Sequence, residues 1–215
     1  MSTHPGPRGS GESGVSTATA AVRPAAALQA VAIGASAGGI DALNALLPLL
    51  PGDFAPSVLI VLHLRPDTPS LLSEMFSLRC ALPVREAEDK MPVLPGHVYV
   101  APPDYHLLVE SHADGRRFAL SVEPPVRFSR PSIDVLFESA AVAWHDALLG
   151  VVLSGANDDG TRGLQAIRAR GGRAWVQAPE TAQASEMPSH AIAGGPVDEI
   201  LTIEDIGSRL RQADL

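Results

Sequence analysis

Apolar runs that alternate with helical patterns occupy most of the chain after residue 27. Each run is apolar at successive positions, as expected of a strand buried on both faces, and the segment after it carries apolar residues at helical spacing. The runs and the segments that follow them are LQAVAIGA (28–35) with 38–50, PSVLIVLHL (56–64) with 68–79, DALLGVVLSG (146–155) with 160–170, and GRAWVQA (172–178) with 187–194. Buried strands joined by helices predict an α/β fold, a doubly wound and mostly parallel sheet in a Rossmann-like three-layer arrangement.

The middle of the chain alternates apolar and polar residues, which indicates antiparallel strands. The segment HVYVAPPDYHLLVE (97–110) alternates on both sides of a Pro-Pro-Asp turn and predicts an antiparallel hairpin insertion, with 117–122 as a candidate third strand. Residues 131–145 begin with Pro and Ser and then keep helical spacing, so they predict a helix with one buried face. VDEIL (197–201) predicts a last strand, and Thr202 is a predicted N-cap of a last helix.

The first 27 residues differ from the rest of the chain in composition. They are rich in Pro, Gly, Ser, Thr and Ala and contain almost no large apolar side chains. Burial of such residues cannot offset the entropy lost on ordering the backbone. We therefore expect a disordered tail at residues 1–27 and one folded domain at 28–215.

Charge and cysteine content narrow the possible partners and location. The net charge of −8 argues against nucleic acid as a partner, because nucleic acids are held by clustered Lys and Arg. Cys80 is the only cysteine, so the chain cannot form an internal disulfide. The sequence also lacks an apolar run of about 18 residues and the pattern of a secretory signal. These features predict a cytoplasmic protein that does not bind nucleic acid.

Three residue types that could form a hydrolase triad follow three of the predicted strands. Ser36 follows the first strand, His63 closes the second, and Asp159 lies in the loop after the run 146–155. In open α/β sheets, ligands bind outside the carboxyl ends of the strands. Because the first two strands are expected to be neighbours, the imidazole of His63 can reach Ser36, as a general base must.

Each of these residues also has a purely structural interpretation. Ser36 could be the N-cap of a Gly-rich turn, and a histidine at a strand end is more often a hydrogen-bonded structural group. Asp159 and its neighbour Asp158 could cap the helix that follows them and compensate its dipole. For Asp158 the capping interpretation is preferred.

The motif Gly34-x-Ser36-x-Gly38-Gly39 is compatible with two functions. A dinucleotide site would need glycine at position 36 and an acidic residue about 20 positions later, and the sequence has neither. Arg65 could hold a 2′-phosphate, so an NADP site stays open as a minor alternative. As a strand-turn-helix motif of the G-x-S-x-G type, the segment would expose the Ser36 hydroxyl and offer helix N-terminal N–H groups to an oxyanion.

The remaining histidines show no spacing typical of a metal site. They are His97, His106, His112, His145 and His190, apart from His4 in the tail. None forms an H-x-x-x-H pair or pairs with a carboxylate at ligand spacing, and no second cysteine exists. We therefore predict no metal and no other cofactor.

Six segments in unbroken order resemble the catalytic domain of the CheB-type chemotaxis protein-glutamate methylesterases. They are AIGASAGGIDAL, VLHL, LPGHVYVAPPDYHL, SRPSIDVLFESAA, LSGANDDGTRGL and QAPETAQASEMPSHAI, and together they span about 28–203. The resemblance implies a hydrolase that removes methyl groups from glutamate γ-methyl esters on methyl-accepting chemoreceptors. It also implies deamidation of receptor glutamines as a second activity.

The resemblance assigns the same three residues a catalytic role. The family's nucleophile falls on Ser36, its histidine on His63 and its aspartate on Asp159. We expect the oxyanion pocket to be formed by backbone near Ala37, Gly38 and Ala156. The implied partners are the cytoplasmic helices of chemoreceptors, with a methyltransferase or a separate response regulator as further candidates. Association with the membrane is then expected only through the receptor.

The sequence departs from the family pattern in three places. The phosphorylatable receiver domain of the family has no counterpart before residue 28, so we expect no phosphorylation control within this chain. Ala37 stands where many members have Thr, which removes a hydroxyl beside the oxyanion site. Asn157 and Asp158 make the loop before Asp159 bulkier and more polar, so we expect its pocket to differ in shape from that of other family members. These changes motivate an alternative function, a catalytically weak chemosensory adaptor that binds receptor or methyltransferase.

Overall fold

The computed structural model describes residues 1–2, 27–63 and 71–212. Most of the segment predicted as a disordered tail lies outside the described residues, as do Arg65 and the predicted start of the helix at 68–79. No helix within the described ranges is long and apolar enough to cross a membrane.

The described residues form nine β-strands and six α-helices. The strands are β1 (Ala30–Ala35), β2 (Ser57–Leu62), β3 (Val84–Glu86), β4 (Val98–Val100), β5 (His106–His112), β6 (Gly115–Ser121), β7 (Leu148–Val152), β8 (Arg173–Gln177) and β9 (Glu199–Leu201). The helices are α1 (Gly39–Leu46), α2 (Leu72–Ser77), α3 (Ile133–Trp144), α4 (Thr161–Ala169), α5 (Glu186–Ala193) and α6 (Ile203–Arg211).

Seven of the strands form one parallel sheet in the order β3-β4-β2-β1-β7-β8-β9. Strand β1 is central, with β2 on one side and β7 on the other. The connection from β2 to β7 therefore crosses from one side of β1 to the other, and the strand order reverses at β1. This arrangement confirms the predicted doubly wound α/β fold, and such a reversal point is where ligands bind in sheets of this kind.

The sheet is buried on both faces because its strands carry apolar residues at successive positions. In β1, Ala30 and Ala32 pack on the face covered by α3 and α4, where Phe137 is fully buried. Val31 and Ile33 point to the opposite face, into the cluster formed with α1 and α6. Side chains alternate between faces along a strand, so an uninterrupted apolar run supplies both cores.

The antiparallel hairpin does not lie at 97–110, where the alternating pattern predicts it. That prediction was wrong, because Val98–Val100 is strand β4 and pairs in parallel with β2 and β3 in the main sheet. The hairpin is formed by β5 and β6, so the predicted third strand is the partner of His106–His112. Alternation identifies a strand but does not show which strand pairs with it. The stronger hairpin signal was the Asp114-Gly115 pair, in which Asp114 ends the two-residue turn and Gly115 begins β6.

The predicted helices are present, with ends set by local chemistry. Helix α1 ends at Leu46 and continues as one tighter turn, Leu47–Leu49, which contains Pro48. Thr202 is the N-cap of α6, since its Oγ1 accepts a hydrogen bond of 3.1 Å from the N–H of Asp205. Helix α3 begins at Ile133, and its first turn packs closely against the end of β1.

Gly34 in β1 makes that close packing possible. A Cβ atom at Gly34 would lie 2.3 Å from Cγ2 of Ile133, well inside van der Waals contact. The first turn of α3 therefore rests on a position that only glycine can occupy without displacement. This contact fixes the position of the first turn of α3 over the carboxyl end of β1.

We expect Gly34→Ala to lower the free energy of unfolding by about 1–3 kcal/mol, because the added methyl group must displace Ile133. Urea-induced unfolding measures the change. Gly52→Ala is the matched control, since Gly52 is exposed and its nearest contact would be Cβ of Ala81 at 3.8 Å. We expect this control to stay within about 0.5 kcal/mol of the parent. Equal stability of the two variants would contradict the role assigned to Gly34.

Candidate active site

The side chains of Ser36, His63 and Asp159 meet at the carboxyl edge of the sheet. Nδ1 of His63 lies 3.1 Å from Oγ of Ser36, and Nε2 lies 2.9 Å from Oδ2 of Asp159. The carboxylate is fully buried, whereas the imidazole keeps 12% of its surface exposed. The structure thus brings together the three residues proposed from the strand ends, in one hydrogen-bonded chain, and their catalytic roles stay a prediction.

The hydrogen-bond partners determine the tautomer of His63. An ionised carboxylate only accepts hydrogen bonds, so Nε2–H of His63 donates to Asp159. In the neutral imidazole, Nδ1 is then an acceptor, and the hydroxyl of Ser36 donates to it. A serine hydroxyl that donates to an oriented neutral imidazole is the arrangement expected of an activated nucleophile and its base.

The carboxylate of Asp159 also caps the N-terminus of α3. Its oxygens accept hydrogen bonds from the N–H of Ile133 at 2.7 Å, the N–H of Asp134 at 3.0 Å and the hydroxyl of Ser132 at 2.9 Å. The first N–H groups of a helix have no partner within the helix and carry its partial positive charge. Asp159 therefore caps α3 from another part of the chain. The first turn of α4, which follows Asp159 directly, is bound instead by the carboxylate of Asp134, which accepts from the N–H of Gly163 at 2.7 Å.

These donors keep Asp159 charged in spite of its burial. Burial alone would raise the pKa of the carboxyl group. The hydrogen bond from His63 and the N–H groups of Asp134 and Ile133 act in the opposite direction, and the pKa of Asp159 is lowered overall. A carboxylate at this position can hold the imidazole in one tautomer and stabilise its protonated form.

The turn between β1 and α1 presents Ser36 together with free backbone donors. Gly38 adopts a left-handed conformation with φ of 75°, and a Cβ there would lie 2.7 Å from Oγ of Ser154. Ala37 is exposed, and neither its N–H nor that of Gly38 donates to another described residue. These two N–H groups follow Ser36 directly in the chain, and both residues line the same cavity as Ser36, so they are candidate donors to an oxyanion.

Ser154, just after the end of β7, holds this turn in place through hydrogen bonds. Its Oγ donates to the carbonyl oxygen of Ala37 at 2.7 Å and accepts from the N–H of Ala184 at 2.9 Å. Its own carbonyl oxygen accepts from the N–H of Ser36 at 2.9 Å. Sequence reasoning did not identify this buried serine, because a single Ser at a strand end has no distinguishing pattern.

A cavity of about 420 Å³ opens directly over the nucleophile. Its lining includes Ser36, Ala37, Gly38 and His63, and Gln183 borders it from the segment before α5. Ala156, the third residue expected near the oxyanion, is exposed on the loop that carries Asp159. Within the described ranges, no group of three or more His, Cys, Asp or Glu side chains could hold a metal ion.

The CheB methylesterase family matches residues 31–210, which cover the sheet and the three side chains described above. The chain belongs to the CheB methylesterase family. Its members are ester hydrolases, so the family makes this chain an enzyme of the methylesterase class. The chemotaxis family resembled by the six sequence segments is thereby confirmed.

Individual relatives of the CheB methylesterase family agree with this assignment. A protein of Leptospira interrogans, whose provisional name is protein-glutamate methylesterase/protein-glutamine glutaminase, is 43% identical over 186 residues, 86% of this chain and 95% of that protein. Protein-glutamate methylesterase/protein-glutamine glutaminase 1 of Burkholderia pseudomallei is 39% identical over 180 residues, 84% of this chain but 49% of that protein. The crystal structure of the Thermotoga maritima CheB methylesterase catalytic domain superposes with a TM-score of 0.83 at 30% identity, over 87% of this chain and 99% of that one.

Two more residues of this CheB-type site were not identified as functional from the sequence. Ser132 was interpreted only as part of a helix start, but its hydroxyl binds Asp159. Asn157 was noted only as a bulky neighbour of the aspartate, but its amide Nδ2 lies 3.5 Å from Nδ1 of His63. Asp158 was expected to cap a helix, and its carboxylate instead pairs with Arg127.

The pKa of Asp159 leads to a prediction about acid stability. Because the folded-state pKa is lowered, the stabilisation is complete above the ordinary value of 3.8 and is lost as pH falls below it. We expect Asp159→Asn to lower the free energy of unfolding by about 2 kcal/mol near neutral pH. The difference from the parent should shrink as the pH falls below 3.8, because the unfolded parent then binds a proton at Asp159 that the folded carboxylate binds less readily.

Urea-induced unfolding at several pH values, with the exposed Asp53→Asn as a control, measures this difference. The control should differ from the parent by less than about 0.5 kcal/mol at neutral pH. A deficit of Asp159→Asn that grows as the solution becomes more acidic would contradict the sign derived for Asp159.

Proposed function

We propose that this chain is a serine esterase that hydrolyses glutamate γ-methyl esters on methyl-accepting chemoreceptors, and that it deamidates receptor glutamines at the same site. The observation that carries the proposal is the hydrogen-bonded chain from Ser36 through His63 to Asp159 below an open cavity. Membership of the CheB methylesterase family supports the ester chemistry. The names of the relatives support the two substrates, methylated glutamate and glutamine.

Acylation begins with the Ser36 hydroxyl. Its Oγ attacks the ester carbonyl carbon while Nδ1 of His63, at 3.1 Å, takes the hydroxyl proton. Asp159 stabilises the imidazolium through its hydrogen bond to Nε2. The N–H groups of Ala37 and Gly38 donate hydrogen bonds to the carbonyl oxygen and stabilise its negative charge. Collapse of this intermediate breaks the bond to the methoxy oxygen, which receives the proton from His63 and leaves as methanol.

Deacylation repeats the cycle with water. A water molecule takes the place of methanol, gives one proton to Nδ1 of His63 and attacks the acyl carbon. The bond to Oγ of Ser36 then breaks, the oxygen regains a proton, and the glutamate side chain is released. With a glutamine substrate, ammonia leaves in place of methanol and the second half of the cycle is unchanged.

The cytoplasmic helices of the receptor are the partner that this proposal requires. A receptor substrate places the enzyme in the cytoplasm and at the membrane only through the receptor. The net charge of −8 agrees with a protein partner and not with nucleic acid. A methyltransferase and a separate response regulator are further candidate partners.

We expect Ser36→Ala to reduce methanol release from a methylated receptor fragment by about 10³-fold or more, because the covalent route is lost. The matched control is Ser111→Ala at the far end of the β5–β6 hairpin, where the side chain is exposed. It should retain activity within about twofold of the parent. Substantial methanol release by folded Ser36→Ala protein would exclude this serine as the nucleophile.

Labelling with a fluorophosphonate probe separates the esterase from the adaptor. The probe forms a covalent bond with an activated serine, so we expect the parent to be labelled and Ser36→Ala to stay unlabelled. His63→Ala should react at least about 100-fold more slowly, because the general base is missing. A folded parent protein that is neither labelled nor active on methylated receptor would favour the adaptor.

A further inference from the structure

Asn157 places a side-chain amide beside the proposed base. Its Nδ2 lies 3.5 Å from Nδ1 of His63, the same ring nitrogen that faces Ser36. The residue is partly buried in the loop that connects β7 to α4. The backbone N–H groups of Ala37 and Gly38 belong to a different loop, so Asn157 is a separate polar group at the site.

The hydrogen bonds around Asn157 fix the orientation of its amide. Its Oδ1 accepts from the backbone N–H of Asp159 at 3.2 Å. A reversed amide would place Nδ2 against that N–H and Oδ1 against the lone pair of His63 Nδ1, so both contacts would be repulsive. The NH₂ group is therefore directed at the imidazole, and a partner two residues away holds it there.

The contact between Asn157 and His63 changes when the imidazole gains a proton. In the resting state, Nδ1 is an acceptor and Nδ2–H points towards it at a distance too long for a strong hydrogen bond. Once Nδ1 has taken the proton of Ser36, it no longer accepts, and the amide hydrogens of Asn157 need another acceptor. In each step of the reaction, an oxygen atom exchanges a proton with Nδ1 of His63 and therefore lies near the amide of Asn157. That oxygen is the acceptor available to the amide.

From this geometry we propose that Asn157 is a catalytic residue. Its amide donates a hydrogen bond to the substrate or water oxygen that exchanges a proton with Nδ1 of His63. This inference rests on the proposed function. In acylation the acceptor is the methoxy oxygen, whose bond to carbon breaks as His63 gives it a proton. In deacylation the acceptor is the attacking water, which gives one proton to His63 while its oxygen bonds to the acyl carbon. An interaction that is strong only as charge develops on that oxygen accelerates the step and leaves substrate binding unchanged.

Two rate measurements on Asn157→Ala test this role. We expect kcat for methanol release to fall about 100-fold while KM stays within about threefold. The rate of Ser36 labelling by a fluorophosphonate should also stay within about threefold, because fluoride leaves without a proton from His63. Loss of labelling in parallel with kcat would overturn the proposal, since Asn157 would then act on the Ser36–His63 pair itself. An unchanged kcat would overturn it as well.

Two further variants separate the donor from the structure of the loop. Asn157→Asp keeps an oxygen for the N–H of Asp159 but has no donor, so we expect a loss of kcat at least as large as in Asn157→Ala. The acidic limb of its pH-rate profile should move to higher pH, because a carboxylate beside His63 favours imidazolium. Asp158→Asn, which alters the same loop where it meets Arg127, should keep kcat within about threefold.

Activity of Asn157→Asp equal to that of the parent would contradict the donor role. An equal loss of kcat in Asp158→Asn would also contradict it, because any change in the loop would then be enough to lower kcat. Failure of the proposed function gives a different result. In that case the parent protein itself would release no methanol and would not be labelled.

Discussion

The carboxylate of Asp159 at the N-terminus of α3 is the interaction on which the site depends. It joins the loop after β7, the first turn of α3 and the imidazole at the end of β2. These segments lie on both sides of β1 or cover its face, so one buried group sets their separation. The helix offers N–H donors and a positive dipole end, which is why an ionised group can be fully buried there. His63 is then oriented towards Ser36 by a rigid part of the fold.

A second buried carboxylate, that of Asp134, lies next to Asp159, and its pKa is shifted in the opposite direction. Burial raises the pKa of Asp134, the hydrogen bond from the N–H of Gly163 opposes this effect, and the charge of Asp159 raises the pKa further. Nε of Arg127 lies 3.4 Å from Oδ2 of Asp134 and partly balances its charge. The helix N-terminus thus favours ionisation of one carboxylate over the other. The favoured one is the carboxylate that faces His63.

The two loops around the nucleophile provide different kinds of hydrogen-bond donor. The turn after β1 offers backbone N–H groups at Ala37 and Gly38, and Ala37 adds no polar side chain. The loop after β7 offers the side-chain amide of Asn157, which lies near Nδ1 of His63, the ring nitrogen that also faces Ser36. A backbone N–H is kept by every substitution except proline, whereas a side-chain donor can differ between related enzymes. Differences in rate or substrate within this fold are therefore expected in the second loop.

The sequence by itself determined the layers of the fold and the strand ends that carry Ser36, His63 and Asp159. Continuous apolar runs define strands buried on both faces, and parallel strands bring their carboxyl ends to one edge. Only the tertiary structure decided that Val98–Val100 joins the main sheet, because alternation does not name the neighbouring strand. It also decided that Asp159 caps α3 and not α4, and that the amide of Asn157 faces His63. These contacts join segments far apart in the chain, and their distances depend on how helices and loops pack over the sheet.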